Sequence, residues 1–79
     1  MLDLEPALSR LAFEIDDLTK AMQTPMSRRA RWGLAAAIEG LRMAIRDADP
    51  NRQYAIRLNG MARRYMLDAE YRRKIDGGA

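Results

Sequence analysis

Residues 30–45, which read ARWGLAAAIEGLRMAI, decide the fold because apolar side chains occur on nearly every side of the helix that they would form. Helical spacing groups these side chains into two ridges: Leu34, Ile38, Leu41 and Ile45 on one, and Trp32, Ala36, Gly40 and Met43 on the other. A helix that faces water on one side needs only one apolar face. Two ridges therefore predict either the central helix of a bundle or a seam between two copies of the chain, and both descriptions can hold together.

Small residues in this stretch indicate a close approach by another helix. Gly33 and Gly40 each cost a helix about 1 kcal/mol relative to alanine, so a compensating contact is expected. A backbone without large side chains lets a second backbone come near. The candidate self-association residues are Gly33, Ala37, Gly40 and Ala44. A homodimer through this face is expected, and it is compatible with a central position of the stretch in the bundle.

The prolines mark the predicted helix starts, because proline in the first turn of a helix loses no hydrogen bond. A glycine pair at positions 77 and 78 is typical of a helix end. The pattern predicts one domain over residues 1–79, with helices at about 4–22, 25–47 and 50–75. Short connections make neighbouring helices antiparallel. The expected fold class is all-α, an antiparallel three-helix bundle made of a helical hairpin plus a third helix, which homodimerisation would complete.

The two outer helices carry narrower apolar stripes. In the first, apolar residues recur at spacings of three and four as far as Met22. Phe13 lies about 200° around that helix from Leu11, so it is either a single exposed apolar residue or an anchor for a partner. In the third, Ile56 and Leu67 lie opposite the main stripe, and they form either a solvated face or another anchor.

The composition is that of a small globular domain without catalytic equipment. Of its 79 residues 48% are hydrophobic, which is too many for a disordered tail. Histidine and cysteine are absent, which removes the commonest metal ligand, the near-neutral acid–base group and any thiolate. The adjacent carboxylates of Asp16 and Asp17 point about 100° apart on a helix and do not converge on one atom. We therefore expect no enzyme, no metal, no cofactor and no small-molecule substrate.

The stretch from Asp47 to Asn51 has the alternating oxygen spacing that opens a calcium-binding loop. Arg52 and Leu58 stand where such a loop needs glycine and glutamate, so a capped helix start is the favoured interpretation. No apolar run approaches the roughly 18 residues of a membrane span. The chain begins with acidic rather than basic residues, unlike a secretory signal. The sequence therefore predicts a cytoplasmic protein that does not contact membranes.

Arginine dominates the positive charge, with twelve of the fourteen basic residues, and it favours planar, bidentate contacts. Three arginines would occupy the first turns of the second helix, where the helix dipole prefers acids. An up-down-up bundle brings that end beside the basic end of the third helix. We define the basic pole as Arg28, Arg29, Arg31, Arg72, Arg73 and Lys74, with Lys20 nearby and Trp32 beside it.

The basic pole predicts binding to an acidic partner. Arginine and tryptophan are typical of protein interface hot spots, so we expect a non-catalytic protein-binding module. It would act as a small regulator, inhibitor or assembly factor of a larger complex, with Phe13 or the Ile56–Leu67 patch as a secondary anchor. An accessory nucleic-acid-binding protein that uses the same pole is the alternative, although the net charge is only +3 and no aromatic stacking platform is evident. A pole that serves only solubility is the third interpretation.

Overall fold

A computed structural model describes residues 4–77, and within that range the chain forms four α-helices and no strand. They are α1 (Glu5–Ala21), α2 (Arg28–Arg46), α3 (Gln53–Leu67) and α4 (Ala69–Gly77). The all-helical class is confirmed. The prediction of a single third helix over 50–75 is wrong, because the helix is interrupted at Asp68. The four helices form an elongated body of 49 × 22 × 17 Å.

Helix α2 lies at the centre because α1 packs against one side of it and α3 against another. Leu34 and Leu41 of α2 are 1% exposed, and Leu18 of α1 is fully buried. Ala55, Ala62 and Tyr65 bring α3 into the same core. The first ridge belongs to this core, but only Gly40 of the second ridge is buried and Trp32 is exposed, so the prediction that both ridges are covered is not confirmed. The remaining side of α2 faces solvent through Arg28, Trp32, Ala35, Glu39, Arg42 and Arg46.

The small residues of α2 serve packing inside the chain. A Cβ atom added to Gly40 would lie 3.4 Å from the Cα atom of Ala55, so the missing side chain allows α3 to approach closely. Ala37 and Ala44 are 0% exposed. Of the four residues predicted for self-association, only Gly33 is exposed. Gly40, Ala37 and Ala44 are accordingly unavailable to a second copy of this fold, which corrects the prediction of a homodimer seam through them.

Side-chain hydrogen bonds move the start of α2 to Arg28, three residues beyond the predicted one. The Ser27 hydroxyl accepts a hydrogen bond from the backbone N–H of Ala30 at 3.1 Å and caps the helix. The Thr24 hydroxyl, next to the proline that marked the predicted start, donates instead to the carbonyl oxygen of Ala21 at 2.6 Å. Thr24 therefore belongs to the end of α1.

The junction between α2 and α3 is a Schellman turn. The N–H of Asp49 donates to the carbonyl oxygen of Ala44 at 2.8 Å, and that of Ala48 to Ile45 at 3.0 Å. Ala48 has a φ of 50°, a left-handed conformation that usually belongs to glycine. Residues 50–52 complete the turn, so α3 begins at Gln53 rather than at Pro50.

Asp68 separates α3 from α4 by acting as a cap. Its backbone is extended, with φ −111° and ψ 106°. Its Oδ1 accepts hydrogen bonds from the N–H groups of Glu70 at 3.0 Å and Tyr71 at 3.1 Å. These hydrogen bonds lower the pKa of the Asp68 carboxyl, and the one from Tyr71 contributes most. Helix α4 consequently turns back against α3 and α2, and it ends at Gly77, the first of the two glycines predicted to stop it. The second glycine lies outside the described residues.

Leu41→Ala is expected to lower the free energy of unfolding by about 2–5 kcal/mol, because it deletes buried methyl groups and leaves a cavity in the core. The control is Leu67→Ala, the same chemical change at a side chain that is 78% exposed, which is expected to change stability by less than about 0.5 kcal/mol. Urea titrations followed by circular dichroism compare them. Equal losses would contradict a core centred on α2.

Ala48→Gly is expected to raise the free energy of unfolding by about 0.5–1 kcal/mol, because glycine relieves the left-handed strain of the Schellman turn. Ala35→Gly, at an exposed position inside α2, is the matched control and is expected to lower it by about 1 kcal/mol. Thermal unfolding of both variants measures the two signs. A loss of stability in Ala48→Gly would mean that this turn has another conformation.

Candidate functional site

The first turn of α2 and the whole of α4 lie at the same end of the molecule. Asp76 of α4 accepts a hydrogen bond at its Oδ1 from the backbone N–H of Ser27, at 3.3 Å. Arg29 lines one cavity together with Tyr71 and Ile75 of α4. The structure therefore brings the two arginine groups of the basic pole together, although the helix that carries the second group is a separate one.

Two residues of the pole have their guanidinium groups engaged with helix ends. Arg31 donates from Nη1 to the carbonyl oxygen of Met22 at 2.7 Å and from Nη2 to that of Thr24 at 3.3 Å, beyond the end of α1. Arg72 donates from Nε to Tyr65 at 3.1 Å and from Nη2 to Met66 at 2.7 Å, at the end of α3. Cations are favourable there because carbonyl groups concentrate negative charge at the C-terminus of a helix. Arg31 and Arg72 are structural residues.

Asp76 supplies the negative charge that the first turn of α2 lacks. That turn contains no acidic residue, whereas a helix N-terminus favours one. The Tyr65 hydroxyl donates to the same carboxylate, at 2.7 Å and 2.9 Å from its two oxygens. Hydrogen bonds from Ser27 and Tyr65 lower the pKa of Asp76. Burial and the bond to Asp76 raise the pKa of Tyr65 to about 12.

Asp76 is not among the residues that the sequence predicts for the pole. Its hydrogen bond to Ser27 joins residues 49 positions apart, and nothing in the local sequence around either residue indicates the pairing. The requirement could have been noticed at Ser27, because a helix that begins with arginines needs an acid from elsewhere in the chain.

Four cations of the pole remain available: Arg28, Arg29, Arg73 and Lys74 are exposed and form no ion pair with the described residues. Lys20 is engaged with Asp16, at 3.0 Å, on the surface of α1. Trp32 lies one helical turn after Arg28 on the open side of α2, and its exposed fraction is 74%. The available part of the pole is therefore a cationic surface with one large aromatic side chain beside it.

Of the two secondary anchors, Phe13 and Ile56 lie away from this surface, and Leu67 lies at the end of α3 that reaches it. Phe13 is 72% exposed and sits on α1 beside Ser9, Ala12 and Asp16. It lies about 12 Å along the helix axis from Ala21, the end of α1 that reaches the pole. Ile56 and Leu67 are exposed on α3. The structure thus keeps Phe13 and Ile56 separate from the arginines, whereas Leu67 lies next to Met66, whose carbonyl oxygen accepts a hydrogen bond from Arg72.

Asp47 and Asp49, whose spacing is that of a calcium-binding loop, pair with arginines instead. Asp47 forms ion pairs with Arg46 at 3.1 Å and Arg52 at 2.6 Å, and hydrogen bonds from both lower the pKa of Asp47. Asp49 contacts Arg52 at 3.5 Å. Within residues 4–77 no three acidic side chains group closely enough to hold a metal ion. A helix with the length and apolar character that a membrane crossing requires is not found in that range either.

Comparison of the chain with protein-family models, with curated proteins and with solved structures finds no match in any of the three. The interpretation of the surface therefore rests on its residues alone.

The contacts of Asp76 with Tyr65 and Ser27 are expected to make the free energy of unfolding fall at low pH. A lowered pKa means that Asp76 contributes fully above its ordinary value of 3.8 and loses the contribution as the pH falls through its lowered value. Asp76→Asn is therefore expected to be less stable than the wild type at pH 7, with the difference shrinking below pH 3.8. Urea titrations between pH 7 and pH 2 measure it.

The control is Asp16→Asn, which removes one partner of an exposed ion pair and is expected to change stability little at any pH. A constant difference between Asp76→Asn and the wild type across the whole pH range would contradict the role of the ionised carboxylate.

Proposed function

We propose that this chain is a non-catalytic protein-binding module, a small regulator, inhibitor or assembly factor of a larger complex. It binds an acidic surface of its partner through Trp32 and the free cations Arg28, Arg29, Arg73 and Lys74. The observation that carries the proposal is the exposure of Trp32, at 74%, on a helix that the core holds firmly in place. A rigidly presented indole beside arginines is the composition of an interface hot spot.

The first turn of α2 gives a physical reason for an acidic partner. Arg28 and Arg29 lie at the positive end of the helix dipole, where their charges are unfavourable, and Asp76 contacts only Ser27 there. Asp76 compensates the dipole but forms no ion pair with Arg28 or Arg29, so a carboxylate from a partner would compensate these two arginines. Burial of the Trp32 ring in the same contact would add the favourable free energy of removing an aromatic ring from water. The two contributions reinforce each other at one place on α2.

The alternative is an accessory nucleic-acid-binding protein, which the four available cations at one end favour. Four phosphate contacts would make the affinity fall about 150-fold between 50 and 200 mM salt. A protein interface centred on Trp32 depends less on salt. Against nucleic acid stands the single exposed indole, since single-strand binders stack successive bases on several aromatic rings.

The test replaces Trp32 with a photo-crosslinking phenylalanine analogue in cells that naturally produce the chain. The aromatic analogue at position 32 is expected to crosslink to one protein, identified by mass spectrometry, because the side chain at this position would be buried in the interface. The matched control carries the analogue at Gln53, an exposed position at the start of α3. Gln53 lies near the C-terminal end of α2, away from Trp32, and is expected to give no such product.

With that partner purified, Trp32→Ala and Arg28→Glu are each expected to weaken binding at least tenfold, while Ser9→Ala leaves it unchanged. Crosslinked products that nucleases digest would favour the alternative. Equal products from positions 32 and 53, or none, would refute the proposed interface.

A further inference from the structure

A cavity of about 170 Å³ lies between α2, α3 and α4, beside the basic pole. Leu58 and Met61 of α3 form one wall, and Tyr71 and Ile75 of α4 form another. Gly33 opens the α2 side, because a Cβ atom added there would meet no atom within 4 Å. The cavity exists because Asp68 turns α4 back across the end of the bundle. Met61 is 52% exposed at its edge.

The size of the cavity fits one large side chain. An apolar cavity of about 150 Å³ in another protein accepts benzene, whereas sites for drug-sized ligands span about 300–1,000 Å³. The ring of a phenylalanine or the branched end of a leucine matches this space. A protein segment that presents one apolar residue is therefore a better occupant than a free small molecule.

The charge of the lining decides what surrounds that residue. Arg29 is the only charged residue that lines the cavity, and no carboxylate lines it. The Arg64 guanidinium lies 4.5 Å from the centre of the Tyr71 ring, but Asp68 pairs with it at 3.6 Å, which leaves Arg29 as the unpaired cation. A carboxylate next to the entering apolar residue would meet Arg29. Charge and volume together select an acidic segment with one apolar anchor.

We propose that this cavity receives a phenylalanine or leucine side chain from an acidic segment of the protein partner, with Arg29 pairing to a carboxylate next to that anchor. The inference rests on the proposed function and extends it, because it names what the partner contributes. Trp32 enters the partner, and the partner's apolar residue enters the cavity. Arg29 belongs to both contacts, since it lies in the basic pole and lines the cavity.

The experiment uses three defined peptides: acetyl-Glu-Glu-Phe-Glu-Glu-amide, the same peptide with serine in place of phenylalanine, and the same with lysine in place of every glutamate. Methyl resonances of Met61, Leu58 and Ile75 in the whole chain report occupancy by NMR. The acidic phenylalanine peptide is expected to shift them at least five times more than either of the others. Equal shifts from the serine peptide would overturn the anchor, and equal shifts from the lysine peptide would overturn the charge requirement.

Gly33→Leu is the decisive variant, because it fills the cavity from α2 without touching the core. It is expected to weaken binding of the acidic phenylalanine peptide at least tenfold. The matched control is Gly60→Leu, at a second helical glycine where an added Cβ meets no atom within 4 Å, and it is expected to bind like the wild type. Both substitutions place a helix-favouring residue at an open position, so both variants are expected to remain folded.

The outcomes separate this inference from the proposed function. If Gly33→Leu binds the peptide like the wild type, or leaves binding of the crosslinked partner intact, the cavity is not the anchor site even where Trp32 remains essential. If the peptide occupies the cavity but the analogue at position 32 crosslinks to no protein, the proposed function fails while the chemistry of the cavity holds.

Discussion

The burial of one stripe of α2 between two neighbours is the constraint on which the rest of the structure depends. Leu34, Ala37, Leu41 and Ala44 are at most 1% exposed, and α1 and α3 supply the surfaces that cover them. Gly40 allows α3 to lie close to the α2 backbone at Ala55. Because this packing fixes the direction of α2, it also fixes where the opposite side of the helix faces. Trp32 is exposed for that reason and not because it lacks apolar neighbours in the sequence.

Helix ends determine which charges at the basic pole remain available. The C-terminal ends of α1 and α3 meet the N-terminus of α2 there, so carbonyl-rich and amide-rich ends lie side by side. Arg31 and Arg72 neutralise the former, and Asp76 neutralises the latter. What remains for a partner is the charge that this local arrangement does not use. The cationic surface thus consists of the cations that no other helix pairs at this end. The apolar cavity behind α4 forms because α4 turns back across the same end at Asp68.

Sequence patterns predicted the structure well where burial of apolar side chains decides it. They predicted helix ends less well, because several neighbouring side chains can form the capping hydrogen bond. Apolar spacing predicted α1 and α2 to within a few residues and identified Leu34 and Leu41 as core positions. Thr24 and Ser27 are both good caps, and only the carbonyl that Thr24 meets at Ala21 decides between them. Asp68 is tolerated inside a helix as well as at its start, so the break before α4 could not be distinguished from a continuous helix. The small residues of α2 indicated a close contact correctly, but not which helix would make it.

By itself the sequence determined that the chain is helical, that its middle segment contributes the Leu34–Leu41 ridge to the core, and that its positive charge is mainly arginine, because periodicity and composition are properties of the sequence alone. The tertiary structure decided which arginines are free. Arg28 and Arg31 are three residues apart and chemically identical, yet Arg31 reaches the carbonyl oxygens of Met22 and Thr24 while Arg28 faces solvent. The distinction depends on carbonyl groups and a carboxylate contributed by other helices, and their positions follow only from how those helices pack.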